Sequence, residues 1–299
     1  MRLIAFYGRD AVRTGRIEGD EVVVGGGPLD HSGRLDEEFE GAVGWLSSEP
    51  EERLPLQGLD PAPILLAPSK IVCVGLNYRE HAAEGGREAP IRPLLFAKFA
   101  NTIVGDGDPV VRHRGTHALD LEVELGVVIR QTARRVTRAE AMDHVAGYVV
   151  VNDISARDWQ GSTPALREGE KGDGQWLRAQ GSDTFLPMGP ILVTADEVDP
   201  AAGLRLRSWR IDGTGVEHLM QDGTTSDMIW DVPALVEYIS AVITLEAGDI
   251  IATGTPSGVG VFRDPPVFLE PGDWVRCEIE GVGSVENPVI DWSDEELGA

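Results

Sequence analysis

The sequence predicts a strand-rich α+β fold with few helices, and three observations support this prediction. The chain of 299 residues contains 36 glycines and 19 prolines, which interrupt helices and favour turns. Several short β-branched or alternating apolar segments lie between these turns. The strand candidates do not alternate regularly with helices, as a doubly wound parallel sheet would require. We therefore expect a mixed sheet fold rather than a helical bundle.

Residues 1–65 are predicted to form a small N-terminal α/β domain. Segments 3–6 and 21–24 are short strand candidates, and a polar segment with a helical pattern follows them. The proline-rich stretch 61–68 restricts the backbone to extended geometry and marks the boundary. The remainder, residues 66–299, shows no shift in composition and is expected to form one large domain.

Most elements of the large domain are predicted to be strands, because they are short apolar runs rich in β-branched residues. The predicted strands are residues 70–75, 120–130, 148–151 and 250–252, with two more short strands between 274 and 290.

Two helices of the large domain are predicted from signals at their ends or from their apolar spacing. Thr137 and Glu140 form a capping-box pattern, and Gly147 stands where a helix-terminating glycine would. The second helix opens at Pro233. It places four apolar residues on one side: Leu235, Val236, Ile239 and Val242.

The charge of the chain limits its partners. With 50 acidic and 26 basic residues, the formal net charge is −24. Binding to nucleic acid depends on clustered Lys and Arg, so we expect no nucleic-acid partner, and an anionic membrane surface is equally disfavoured. The N-terminal apolar run is too short for a signal peptide. The two cysteines, Cys73 and Cys277, could pair, but reduced buried thiols in a cytoplasmic protein are the expectation.

Three carboxylates are candidate metal ligands. Glu122 and Glu124 are two residues apart in a predicted strand, so both project to one face, about 7 Å apart. Asp153 follows an apolar run and is expected to be buried, where an ionised carboxylate needs a cation or a metal. Carboxylate oxygens suit a hard divalent cation. A salt-bridge cluster that includes Arg157 and Asp158 is the alternative, and the residues alone leave both readings open.

A histidine and a glutamate form a candidate acid–base pair. His81 and Glu84 are three residues apart, which places them on one face of a short helix. A carboxylate beside an imidazole fixes its tautomer and suits it to act as a general base. Gly85 and Gly86 would end this helix and leave a flexible, lid-like stretch. An ordinary surface pair is the alternative interpretation.

The glycine-rich segment 254–260 lacks the Gly-Lys-Ser/Thr ending of a phosphate-binding loop. Its backbone N–H groups are expected either to bind a substrate carboxylate or to form a plain tight turn.

Taken in order, these motifs resemble the fumarylacetoacetate hydrolase family over about residues 69–290. The resemblance rests on segments 70–78 with the His81/Glu84 pair, 96–98, 122–126, 152–160, 183–185 and 248–256. The first 60 residues are similar to the small N-terminal domain of many members.

The resemblance implies a mixed β-sandwich or roll fold and a homodimer. It implies a Mg²⁺ or Mn²⁺ enzyme, for which Ca²⁺ can substitute in crystals, with Glu122, Glu124 and Asp153 as the metal ligands. His81 and Glu84 match the dyad that activates water. Substrate contacts are implied for four residues: Tyr78, Arg157, Gln160 and Thr255.

The implied reaction is hydrolysis of a carbon–carbon bond in a 2-oxo or 2,4-dioxo acid: fumarylpyruvate, another acylpyruvate or a 2,4-diketo-3-deoxy sugar acid, as in aromatic or sugar-acid catabolism. Many hydrolytic members have a Lys where this chain has Gln180, which offers a forming oxyanion only a neutral donor. Two alternatives therefore stay open. One is decarboxylation or keto–enol isomerisation of an oxaloacetate-like acid at the same site, and the other is binding of metal and 2-oxo acid without turnover.

Overall fold

The computed structural model describes residues 1–9, 12–24, 52–172 and 174–294. Its α-helices are α1 (Arg79–Glu84), α2 (Arg157–Gln160), α3 (Trp176–Gly181) and α4 (Val232–Ser240). Its strands are β1 (Arg2–Tyr7), β2 (Val12–Glu18), β3 (Glu21–Val24), β4 (Glu52–Pro55), β5 (Ile71–Gly75), β6 (Leu94–Lys98), β7 (Ile103–Val104), β8 (Val110–Arg112), β9 (Leu119–Asp120), β10 (Val123–Ile129), β11 (Val145–Asn152), β12 (Ser155–Ala156), β13 (Leu186–Pro187), β14 (Ile191–Thr194), β15 (Arg205–Ile211), β16 (Glu217–Thr224), β17 (Ile250–Ala252), β18 (Trp274–Ile279) and β19 (Gly283–Asp291). The prediction of a strand-rich fold with few helices is confirmed.

Two sheets organise the fold. A ten-stranded sheet has the order β4-β3-β2-β1-β14-β11-β10-β17-β5-β6, in which β17 and β5 are parallel and the other pairs antiparallel. A five-stranded sheet has the order β16-β15-β18-β19-β8. β1 pairs with β14, so the N-terminal strands continue the ten-stranded sheet. The boundary at residue 65 stays a prediction, and the helical segment predicted near residue 40 lies outside the described residues.

Both faces of the large sheet are covered at its centre, which explains why β10 and β11 are fully buried and mostly apolar. Alternate residues of β10, such as Leu125 and Val127, pack towards the five-stranded sheet and α4. Val128 packs on the opposite face with Cys73 and Val149. Cys73 and Cys277 are free and buried, as expected for reduced thiols.

The predicted helix after Thr137 is wrong. The capping-box contact forms, because the Thr137 backbone N–H and hydroxyl both donate to Glu140, at 3.0 and 2.7 Å. The chain continues only as a 3₁₀ turn, Ala141–His144, and then enters β11. Gly147 lies inside that strand, where a Cβ atom would approach the Val193 carbonyl oxygen to 2.1 Å. Close strand approach, and not helix termination, therefore requires this glycine.

The helix predicted at Pro233 is confirmed as α4, which Asp231 caps through the Ala234 N–H at 3.0 Å. Leu235, Val236 and Ile239 are buried, but Val242 follows the helix and is 80% exposed. Within the described residues, no helix is long and apolar enough to cross a membrane.

One edge of the large sheet gathers the ends of five neighbouring strands. β17 and β5 are parallel and both end there, while antiparallel β10 and β6 begin there and β11 ends there. Predicted site residues follow or precede these strand ends: Asp153 after β11, Glu122 before β10, and His81 shortly after β5. Strand pairing thus brings together residues that are far apart in sequence.

Candidate active site

Three buried carboxylates form the centre of the site. One oxygen from each of Glu122, Glu124 and Asp153 lies within 4.8 Å of the other two. Their residues are between 0 and 6% exposed, so water contributes little to stabilising their charges. The fold therefore assembles the three residues that the sequence singled out as candidate metal ligands.

Backbone groups hold these carboxylates in place. The Gly254 N–H donates to Glu124 Oε2 at 2.9 Å, and the Asp153 N–H donates to the Glu122 carbonyl oxygen at 2.9 Å. The Asn152 side-chain oxygen accepts from the Glu122 N–H at 2.9 Å. The backbone N–H of Gly254 thus fixes the Glu124 carboxylate, while the other two bonds fix the main chain at Glu122 and Asp153.

Two buried cations face the carboxylates. Lys98 Nζ lies 2.7 Å from Asp153 Oδ1 and donates to the carbonyl oxygens of Ile154 and Gln180 at 2.9 and 2.7 Å. Arg157 donates to Glu122 and Asp120. Sequence reasoning included Lys98 in the family resemblance but gave it no role. Lys98 is the last residue of β6, and the four residues before it are exposed or half-buried. The sequence pattern of this strand therefore did not indicate that Lys98 would be buried.

Burial and like charges oppose ionisation of this cluster. Burial raises the pKa of Glu124 well above its usual range, and the charges of Asp153 and Glu122 raise it further. Burial also raises the pKa of Asp153 to about 6, although Lys98 counteracts this shift. For Arg157, burial lowers the pKa, but Glu122 and Asp120 outweigh it and the net shift is upward. The cluster therefore favours a bound cation.

The residues present fit a divalent cation. Among the described residues, none donates a hydrogen bond to Asp153 Oδ2. Among the described residues, four buried carboxylates, those of Asp120 and the three candidate ligands, face two buried cations. When all four are ionised, ion pairing alone leaves excess negative charge, and clustered carboxylate oxygens are the ligands that Mg²⁺ and Mn²⁺ prefer.

Beside the cluster, α1 presents the predicted acid–base pair. His81 Nδ1 lies 2.7 Å from Glu84 Oε1, and His81 Nε2 lies 4.0 Å from Glu122 Oε1. The Phe262 ring lies against the imidazole, with 6.0 Å between the ring centroids. Because Glu84 contacts Nδ1, it directs the free Nε2 nitrogen towards the carboxylate cluster.

In the glycine-rich loop 254–260, the N–H groups of the three glycines are not free for a substrate carboxylate. Three of its amides bind carboxylates of the protein itself. Gly254 donates to Glu124, Gly258 donates to Glu84 Oε2 at 2.8 Å, and Gly260 donates to Asp120 Oδ1 at 2.8 Å. The loop therefore connects the carboxylate cluster to the His81–Glu84 pair through backbone hydrogen bonds. The spacing of its glycines alone did not indicate this role.

Asp120 is a further residue that sequence reasoning missed. It is 1% exposed and accepts from the backbone N–H groups of Leu121, Gly260 and Val261 and from Arg157 Nε. It thereby fixes Arg157 relative to the loop. An alternating segment with an acidic residue every second position gave no signal to separate Asp120 from Glu122 and Glu124.

Five of the predicted substrate-contacting or catalytic residues line the same pocket: His81, Arg157, Gln160, Gln180 and Thr255. Gln180 is 1% exposed; its Nε2 donates to Ser155 Oγ at 2.9 Å, and Oε1 has no hydrogen-bond partner among the described residues. The Thr255 hydroxyl donates to the Val123 carbonyl oxygen at 2.9 Å. Tyr78 instead packs in the core and does not line this pocket.

The pocket is small and has apolar walls. It encloses about 150 Å³ above Glu122 and Glu124. Val74, Leu76, Leu94, Phe96, Trp176 and Phe262 are its apolar lining residues. Polar groups are thus concentrated at the carboxylate end, and a small acid with one chelating end fits this arrangement.

The chain belongs to the fumarylacetoacetate hydrolase family. The family model described as "Fumarylacetoacetate (FAA) hydrolase C-terminal" matches residues 70–290. This range contains all the predicted site residues, and it agrees with the extent of the resemblance inferred from the motifs.

Relatives with assigned names include tautomerases. The chain is similar to the mitochondrial oxaloacetate tautomerase fahd2 of Xenopus laevis, with 43% identity over 75% of this chain and 66% of that protein. It is also similar to the mitochondrial oxaloacetate tautomerase FAHD2A of Homo sapiens, with 44% identity over 75% of this chain and 67% of that protein. The match thus spans about two thirds of these relatives' length.

Solved structures of similar fold include isomerases and a hydrolase. The 2-hydroxyhepta-2,4-diene-1,7-dioate isomerase from Mycobacterium marinum has a TM-score of 0.75 and 36% identity, covering 98% of this chain and 99% of that one. The fumarylacetoacetate hydrolase from Exiguobacterium antarcticum has a TM-score of 0.77 and 33% identity, covering 97% and 99%.

Proposed function

We propose that this chain is a divalent-metal-dependent keto–enol tautomerase of oxaloacetate-like 2-oxo acids. The observation behind the proposal is the His81–Glu84 pair, whose free Nε2 nitrogen lies 4.0 Å from the carboxylate cluster. A base in this position suits proton transfer next to the carbonyl group of a 2-oxo acid. The relatives named oxaloacetate tautomerases support the same substrate class.

In the proposed reaction, a proton moves from carbon 3 of the keto acid to the oxygen on carbon 2. His81 Nε2 takes the proton from carbon 3, and the electron pair of the broken C–H bond forms the carbon–carbon double bond of the enol. Glu84 stabilises the resulting imidazolium charge. His81 then returns the proton to the oxygen, so no atom is gained or lost. A bound Mg²⁺ or Mn²⁺ supplies a Lewis acid for the negative charge that develops on that oxygen.

The sequence analysis predicted hydrolysis as the principal reaction. Gln180 favours isomerisation over hydrolysis. Hydrolysis requires water to attack a carbonyl carbon, and the oxyanion formed there needs a strong preorganised donor. Gln180 is neutral, and Ser155 accepts its Nε2–H at 2.9 Å. Arg157 already donates to Asp120, Glu122 and Gln160. Isomerisation transfers a single proton and does not need this additional charge.

Hydrolysis of acylpyruvates is the second candidate, because the chain is 33% identical to a solved fumarylacetoacetate hydrolase. Decarboxylation of oxaloacetate at the same site would be distinguished by release of pyruvate.

The test is the decay of enol-oxaloacetate absorbance in the ultraviolet. The protein is stripped with a chelator and then resupplied with Mg²⁺ or Mn²⁺, and metal without protein is the control. We expect decay faster than this control, without pyruvate formation, and loss of the acceleration in His81→Ala. Rates equal to the metal control would overturn the proposal. Release of pyruvate and a carboxylic acid from acylpyruvates would instead establish the hydrolase, and Gln180→Lys tests whether a cation adds that activity.

A homodimer, a cytoplasmic location and the domain boundary at residue 65 accompany this proposal as predictions. Size-exclusion chromatography with light scattering tests the dimer directly.

A further inference from the structure

Arg87 differs from the other arginine of the pocket. Both Arg87 and Arg157 line it. Arg157 is 5% exposed and its three guanidinium nitrogens donate to Asp120, Glu122 and Gln160. Arg87 is exposed, and no described residue makes a hydrogen bond or an ion pair with its guanidinium group. Its charge is therefore available to a ligand.

The end of α1 fixes the backbone of Arg87. The Gly86 N–H donates to the Ala83 carbonyl oxygen at 2.9 Å, and the Arg87 N–H donates to the Ala82 carbonyl oxygen at 2.9 Å. Gly86 has φ of 65°, in the left-handed region. These three features define a Schellman motif, which turns the chain back at the helix end. Arg87 is therefore attached to the same short helix that presents His81 and Glu84.

The distribution of charge in the pocket indicates where a second substrate carboxylate could bind. Asp120, Glu122, Glu124 and Asp153, when ionised, are balanced by Lys98, Arg157 and a divalent cation, so the buried part of the site has no excess positive charge. The opposite walls are apolar, and they include Leu94, Phe96 and Trp176. An anionic group distant from the metal end would find a compensating cation, among the described lining residues, at Arg87.

We propose that Arg87 is a specificity-determining residue that binds the distal carboxylate of a dicarboxylic 2-oxo acid. The inference rests on the proposed function, because it assigns the second carboxylate of an oxaloacetate-like substrate to this residue. The guanidinium group suits such a carboxylate because it donates two parallel hydrogen bonds. Since Arg87 and His81 belong to one helical unit, binding at Arg87 also orients the substrate towards the base.

Steady-state kinetics test this role with two substrates, oxaloacetate and its 4-methyl ester, which lacks the distal charge. Arg87→Met should raise the KM for oxaloacetate roughly tenfold, the loss of one charge-assisted contact, and leave the KM for the ester within about twofold. Arg87→Lys should recover part of the loss. Arg92→Met, an exposed position of the same loop outside the pocket lining, is the matched control. An equal rise for both substrates, or no rise for either, overturns the proposal.

Binding of non-reacting analogues separates this inference from the proposed function. Malate and 2-hydroxybutanoate differ in the distal carboxylate, and calorimetry with Mn²⁺-loaded protein measures the affinity for each. We expect wild type to prefer malate and Arg87→Met to lose that preference. If this pattern appears but oxaloacetate is not isomerised, the proposed function fails and the role of Arg87 stands. If oxaloacetate is isomerised but Arg87→Met keeps the preference, the role of Arg87 is overturned.

Discussion

The floor and the rim of the pocket are built on different physical principles. The floor consists of Glu122, Glu124, Asp153, Lys98 and Arg157, which are between 0 and 6% exposed. The rim consists of His81, Glu84 and Arg87 on and after α1. Floor side chains have charged or backbone partners on several elements of the sheet edge. Of the rim residues, His81 is as buried as the floor, at 6% exposed, whereas Glu84 is half-buried and Arg87 is exposed.

This contrast indicates a division of tasks. Removing a floor charge leaves its partner buried and uncompensated, which costs free energy of folding. Arg87 is exposed and has no charged partner among the described residues, so removing its charge leaves no buried group uncompensated. We infer that floor substitutions change stability and metal affinity together, while rim substitutions change turnover and specificity without them.

The largest expected effect is on turnover at the rim. His81→Ala should lower kcat for oxaloacetate isomerisation by roughly 10²–10⁴-fold, because the general base is lost. The Mn²⁺ affinity, measured by calorimetry, should stay within about twofold of wild type, since His81 Nε2 is 4.0 Å from Glu122 Oε1 and no ligand is removed. If the Mn²⁺ affinity fell together with kcat, His81 would be a metal ligand, and the proposed difference between rim and floor would be wrong.

At the floor, Lys98→Met should lower the free energy of unfolding by about 3–5 kcal/mol, because Asp153 loses its buried partner. The side chains of both residues are 0% exposed, so water cannot replace the ammonium group. Urea denaturation of chelator-treated protein measures the loss. Lys171→Met, at an exposed position, is the control and should be close to neutral. A loss below about 1 kcal/mol for Lys98→Met would show that the floor is not sensitive to removal of a charge.

Metal binding should change the free energy of unfolding by less than Lys98→Met does. At a Mn²⁺ concentration of about 100 times Kd, the free energy of unfolding should rise by about 2.7 kcal/mol over chelator-treated protein. Asp153→Ala should remove this increase because a ligand is lost, whereas Arg87→Met should retain it. If Asp153→Ala kept the full increase, the metal would bind elsewhere and the three carboxylates would be an ion-pair cluster.

The site residues that sequence could identify are those with strong local patterns. Glu122 immediately precedes β10 and Glu124 lies in it, two residues apart, and His81 and Glu84 are spaced for one helix face, so local spacing alone paired them. The distance between these two pairs depends on strand order in the sheet, in which β10 and β5 both neighbour β17. No local pattern encodes that order. The family resemblance implied that both pairs belong to one site, but it did not predict the order of the strands.

Other features depend on tertiary packing and had no local signal. Lys98 ends a strand whose other residues are exposed or half-buried, so its complete burial was unpredictable. Gly147 matched a helix terminus by its spacing from Thr137, but the approach of Val193 decides its role. Likewise, the amides of loop 254–260 bind protein carboxylates because Glu84 and Asp120, distant in sequence, pack against it.

The smallest expected effect concerns the joint between the rim helix and Arg87. Gly86→Ala should lower the free energy of unfolding by about 1 kcal/mol, because a residue with a Cβ atom is strained at a φ of 65°. Gly86→Asn is the matched control and should lose less, since asparagine tolerates this conformation. A Cβ atom at position 86 meets nothing within 4 Å, so backbone conformation, not steric contact, determines the result. The same substitution should also affect substrate recognition, because Gly86, with its left-handed backbone conformation, positions Arg87. Gly86→Ala should raise the KM for oxaloacetate more than the KM for its 4-methyl ester. Urea denaturation and the same two-substrate kinetics measure both effects, and a stability loss with no change in the ratio of the two KM values would separate the helix end from substrate recognition.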